Sequence, residues 1–161
     1  MAKVGVALAF LVALAFPARA QTVKVDSLLF EQLQPYAADT LEHIVCLYGS
    51  THGDTIQLSS FYLPEQQPLG HHGAVGEADK CKAALAIWHD HAVPLDSAAW
   101  KRDYLYFTLT DQHTFLTTSI APIAIVGVSG IWCLWTRAQV QEAWARNLTP
   151  LPAIWEQCLH N

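Results

Sequence analysis

The sequence predicts a mixed α+β domain, a sheet with helices packed around it. Three observations carry this: short apolar runs bounded by Gly, Pro and Asp, a helical spacing of Leu29, Phe30, Leu33 and Ala37, and two Thr-led helix starts late in the chain. A length of 161 residues with 52% hydrophobic content suits one domain with a sizeable core.

Residues 1–20 read as a secretory signal. Lys3 gives a basic start, an apolar run follows from about Val4 to Phe16, and Ala18 and Ala20 flank Arg19 as an A-x-A site, with cleavage expected before Gln21. The run is shorter than the ~20 apolar residues that a membrane span needs. The expected domain is therefore 21–161, secreted or periplasmic, with no membrane association after cleavage. Removing Lys3 and Arg19 from the nine basic residues leaves seven against fourteen acidic ones, a net charge near −7 with neutral histidines. With no Lys/Arg cluster, nucleic acid and anionic membrane surfaces are not expected partners. Cys46, Cys81, Cys133 and Cys158 are an even set in an exported chain, so two disulfides are expected, with all three pairings open.

In chain order, TVKV (22–25) alternates as a short strand. Asp26 or Ser27 then caps a helix over SLLFEQLQPYAADTLEH, which Pro35 should kink or interrupt. EHIVCLYG (42–49) and TIQLSSFYLP (55–64) form a hairpin around a Gly-Ser-Thr-His-Gly-Asp turn. Residues 65–76, punctuated by Pro68 and three glycines, read as a loop carrying His71 and His72, and GEADKCK as a helical turn. AALAIWHDH is a strand apolar on both faces until His89, as a central strand should be. DSAAWKRDY reads as one or two helical turns, and Thr108 or Thr110 as the cap of a helix starting near Asp111. Residues 121–136 form a hairpin broken at Ser129–Gly130, Thr136 to Gln139 is a capping box, and PAIWEQCLH is a last short helix with Ile154 and Cys158 on one side.

The chemistry centres on His89 and His91. Residues i and i+2 of a strand share a face, so both imidazoles can reach one metal ion, while Asp90 between them faces the other way. A third ligand must come from Asp96, Asp103 or Asp111, and spacing alone does not choose. Glu42, at the mouth of an apolar strand, is the candidate base. His71 and His72 face opposite ways in an irregular segment and read as solvated.

Three of these segments together resemble one family. Glu42 to Gly49 (EHIVCLYG) is similar to the E-x-x-G-x-L-x-G segment of the JAMM (JAB/MPN) metallopeptidases, with Val45 in place of the first glycine. Trp88 to His91 (WHDH) resembles their W-H-S/T-H segment, with Asp90 at the Ser/Thr position, and Thr108 to Asp111 (TLTD) resembles their S-x-x-D. The motifs come in the family's order and span nearly all of residues 21–161. Ala92 replaces the common proline, and the sixteen residues 92–107 make a longer connection than the family pattern has. The rival third ligand, Asp103, lacks the S-x-x-D pattern because Trp100 stands three residues before it.

The resemblance implies a JAB/MPN-like (cytidine-deaminase-like) mixed sheet flanked by helices, and a zinc hydrolase of amide or isopeptide bonds acting on a peptide or protein substrate. It makes His89, His91 and Asp111 the Zn²⁺ ligands, Glu42 the general base and Thr108 the hydroxyl that supports the oxyanion. The alternative is a module that keeps the fold and has lost the chemistry. A cupin-type site also uses H-x-H but needs a Glu soon after, and none lies between His91 and Glu142.

Overall fold

The computed structural model describes residues 22–37, 41–68, 74–76, 81–91, 105–128, 130–153 and 155–160. The expected signal, His71 and His72, and the connection holding Asp96 and Asp103 lie outside these residues. The architecture is mixed α+β, as the sequence predicts: a curled mixed sheet and three helices.

Strand β1 (Thr22–Val25) leads into helix α1 (Ser27–Ala37), and strands β2 (Ile44–His52) and β3 (Thr55–Tyr62) form the first hairpin. A small hairpin, β4 (Gln66–Pro68) and β5 (Ala74–Gly76), precedes β6 (Ala86–Asp90). Then come β7 (Tyr106–Phe107), α2 (Leu109–Thr118), the hairpin β8 (Ile123–Val128) and β9 (Ile131–Thr136), α3 (Arg137–Ala145), β10 (Leu151–Pro152) and β11 (Cys158–His160). The main sheet has seven strands in the order β1-β3-β2-β6-β8-β9-β11. β1 runs parallel to β3 and β6 parallel to β8, with α2 on the crossover between the latter pair; the other pairings are antiparallel.

Alternation along the strands divides the core into two layers. Val45, Leu47, Ile56, Leu58, Ala86, Trp88, Ile123 and Ile125 face α1, packing on Leu29, Phe30, Leu33 and Ala37. Ala124, Val126, Val128, Cys133 and Trp135 face the opposite side and meet Phe115 of α2 and Val140 of α3. The helix ends follow from local chemistry. Asp26 accepts the Leu28 N–H at 2.8 Å, and Thr136 closes a capping box with Gln139. Asn147, at φ 53°, ends α3 in a left-handed turn, where Leu148 N–H reaches the Ala143 carbonyl and Asn147 N–H that of Trp144.

Three expectations change, and the turn around Cys81 is kept. α1 continues through Pro35 as far as Ala37 within the described residues; the proline's missing N–H affects only the last turn. Residues 65–76, expected as a loop, contain the β4–β5 hairpin. The GEADKCK segment keeps a 3-10 turn at Cys81, closed by Ala84 N–H on the Cys81 carbonyl, with residues 77–80 outside the described set. The final segment is a 3-10 turn (Trp155–Gln157) followed by β11, not a helix. There, ladder pairing with β9 outweighs the helical spacing, and Cys158 comes directly opposite Cys133. The cysteines form two disulfides, Cys46–Cys81 and Cys133–Cys158. Among the described residues no helix is long and apolar enough to cross a membrane, and two disulfides fit an extracellular protein.

Candidate metal centre

Strand β6 sits near the middle of the sheet, between β2 and β8. Its alternation sends Trp88 and Asp90 to the α1 side and His89 to the other, with His91 one residue past the strand end. That second face is covered by α2, whose first turn carries Asp111. Three side chains from two elements thus converge. His89 Nε2 and His91 Nε2 lie 3.2 Å apart, and Asp111 Oδ2 is 3.6 Å from the first and 3.7 Å from the second.

These distances decide what the group resembles. At 3.6 to 3.7 Å the carboxylate stands beyond a direct hydrogen bond to either imidazole. Ligands about 2.0–2.1 Å from a tetrahedral ion lie roughly 3.3–3.4 Å from one another, so the three atoms outline one face of such an ion's shell. His89, His91 and Asp111 therefore form a group that can hold a metal ion. It is a partly sheltered group: the side chains are 11%, 7% and 25% exposed, leaving access from the Asp111 side.

Asp111 is held in place by its own helix start. Thr108 caps α2, its hydroxyl accepting the Asp111 N–H at 3.1 Å. In return Asp111 Oδ2 accepts the Thr108 N–H at 2.8 Å and its hydroxyl at 2.6 Å. The S-x-x-D-like spacing is thus a capping box whose acidic member doubles as a candidate ligand. Behind it, the buried Gln112 amide donates to the carbonyls of Phe107 and Leu148, fixing the start of α2 to the strand before it and to the turn after α3. Burial alone would raise the Asp111 carboxyl. The charge of His89 and polar contacts with both imidazoles and Thr108 outweigh it and hold the group well below the usual carboxylate range, as a ligand requires. Phe107 lies against the His89 ring and Tyr106 against that of His91, centroids 5.5 and 4.8 Å apart.

Glu42 stands at the entry to β2, partly buried and outside the three-atom group. The register that pairs Ile44 with His89 brings Glu42 opposite His91 when carried two residues on, on the same face. Its charge is felt at Asp90. Asp90 is fully buried on the α1 side, and its Oδ1 accepts the His43 N–H at 2.5 Å. Burial pushes its carboxyl up to about 7 against that hydrogen bond. Sequence reasoning assigned this residue only its face. It missed Gln66, whose side chain bonds the Ile44 backbone, because a glutamine in a Pro/Gly-rich segment gives no signal of its target.

Of the residues singled out in the sequence, the fold joins His89, His91 and Asp111, places Thr108 on the Asp111 carboxylate, and leaves Glu42 just before β2, two residues ahead of the Ile44↔His89 pair. Neither a protein-family model nor a curated sequence matches the chain.

Proposed function

We propose that this protein is a zinc-dependent hydrolase of amide bonds in a peptide or protein substrate, of the JAMM (JAB/MPN) type, exported by its N-terminal signal. The observation that carries the reading is the meeting of His89, His91 and Asp111 at ligand spacing, with Glu42 two residues before the Ile44↔His89 pair. His89, His91 and Asp111 would hold zinc through three protein ligands, the ligand count of catalytic rather than structural zinc. Zinc held there supplies Lewis acidity, bringing the pKa of water down towards about 7. Glu42 accepts the proton of the attacking water and returns it to the departing amine. Thr108 supports the oxyanion, for which its hydroxyl must turn away from Asp111 Oδ2.

That last requirement favours a second reading, a metal-bearing binding module without turnover, in which Thr108 only braces the ligand. Metal analysis separates the possibilities. Purified wild type is expected to hold about one zinc per chain, lost in His89→Ala and Asp111→Ala and kept in Asp103→Ala and Glu42→Gln. Metal lost only in Asp103→Ala would remove Asp111 as the third ligand. Peptide hydrolysis retained by Glu42→Gln would remove Glu42 as the base, and zinc without any hydrolysis would leave the module.

A further inference from the structure

The start of β2 is held in an unusual way. Carrying the β2–β3 register on from Cys46↔Tyr62 places Pro64 opposite Ile44. Proline has no N–H to give a ladder, and β3 ends at Tyr62. The Gln66 side chain takes over. Its Oε1 accepts the Ile44 N–H at 2.7 Å and its Nε2 donates to the Ile44 carbonyl at 2.9 Å, so one primary amide supplies both bonds that a strand residue would have made.

On the other flank the same substitution occurs. Asp90 N–H donates to the His43 carbonyl at 3.3 Å, but the His43 N–H turns to the Asp90 side chain, Oδ1 at 2.5 Å. The two residues that follow Glu42 are therefore anchored by side chains from 22 and 47 positions further along the chain. Asp90 is itself set between the two candidate histidine ligands, His89 in β6 and His91 just past its end. Its carboxylate links the strand that carries the histidines to the backbone that carries Glu42.

We propose that Asp90 and Gln66 are positioning residues for Glu42, clamping His43 and Ile44 from opposite sides so that the base is fixed relative to His89 and His91. This rests on the hydrolase reading, and its consequence is that either clamp can be removed without touching a ligand. Loss of positioning lowers turnover because a general base must stay within hydrogen-bond reach of the proton it takes.

The test uses the zinc-loaded mature chain with p-nitrophenyl acetate as the hydrolysis probe, zinc competition against a chromophoric chelator, and amide exchange at His43 and Ile44. Gln66→Ala and Asp90→Ala are each expected to lower kcat about tenfold or more, with KM and zinc affinity within about twofold of wild type. Exchange at Ile44 should quicken in the first and at His43 in the second. Asp90→Asn, which keeps an acceptor oxygen, should restore most of kcat, and adding Asp90→Ala to Glu42→Gln should cost little more than Glu42→Gln alone. Should Asp90→Ala fail to fold, Gln66→Ala and Asp90→Asn decide the matter.

Wild-type kcat in Gln66→Ala and Asp90→Ala, with Glu42→Gln inactive, overturns the positioning role and leaves the hydrolase standing. Loss of zinc together with activity in the clamp variants also overturns it, since that marks general damage to the site. A wild type that holds no zinc, or Glu42→Gln equal to wild type, overturns the parent reading and this one with it.

Discussion

Replacing Asp90 by Asn should stabilise the metal-free protein above neutral pH and do so less below it. Asp90 is fully buried, its Oδ2 has no hydrogen-bond partner among the described residues, and burial raises its pKa from 3.8 to about 7. A raised acid binds its proton in the folded state where the unfolded chain has already released it. Stability from this group is therefore fully present below pH 3.8 and declines as pH rises towards 7. At about 1.4 kcal/mol per pKa unit the whole effect is worth about 4 kcal/mol, and about 3 kcal/mol of it falls between pH 5 and pH 8. Asn keeps an oxygen for the His43 N–H and never ionises. Urea unfolding of wild type and Asp90→Asn at pH 5 and pH 8, disulfides intact, reads the carboxyl together with its coupling to Glu42, His91 and the His43 ring 3.5 Å away, because only the titrating groups remote from Asp90 cancel in the difference. The Asn variant should gain about 3 kcal/mol on wild type over that interval. A difference that stays flat with pH would refute the reasoning, showing the carboxylate to be solvated or compensated when ionised.

Gly127→Ala should destabilise the fold by about 2 kcal/mol, read as a lower urea midpoint, because a Cβ at Gly127 would stand 2.5–2.6 Å from ring atoms of the fully buried Trp88. An unchanged midpoint would mean that the indole has room to shift. Thr108→Val should cost about 1 kcal/mol of stability through the lost cap and lower zinc affinity about tenfold, because Asp111 loses the hydroxyl that orients it. Thr108→Ser should keep both, and equal zinc affinity in Val and Ser variants would reduce the hydroxyl to a capping role.

Much of the site was legible because its parts are local. Two histidines one apart on an apolar strand share a face by strand geometry, and Thr108 with Asp111 three residues on is a helix start in any context. The class of fold followed from the same periodicities. Three things were not legible. The β4–β5 hairpin is too short for alternation to register, since each strand has three residues. The last segment has apolar residues at helical spacing but pairs as a strand, because its partner β9 and the Cys133–Cys158 bridge act from outside the segment. Asp90 and Gln66 make their bonds across 47 and 22 positions, and nothing near either residue in the chain points to those partners.

The site depends on one register. If β6 slipped by one residue against β2, Asp90 would turn towards Asp111 while His89 and His91 turned into the layer under α1, because strand side chains alternate with period two. Three features oppose the slip. Trp88 fills its place beside Gly127, where no larger residue fits, and packs at a tilt against Trp132, centroids 5.9 Å apart. The Cys46–Cys81 bridge ties β2 to the turn that leads into β6. Asp90 itself bonds His43 across the two strands, and it is the only one of the three placed between the histidines. A carboxyl whose burial is unfavourable when ionised therefore acts where a slip would do most harm: moved to the other face, it would lose its N–H donor and stand against the Asp111 carboxylate. Its cost in stability and its hold on the register come from the same buried position, so Asp90→Asn should relieve the first and retain the second.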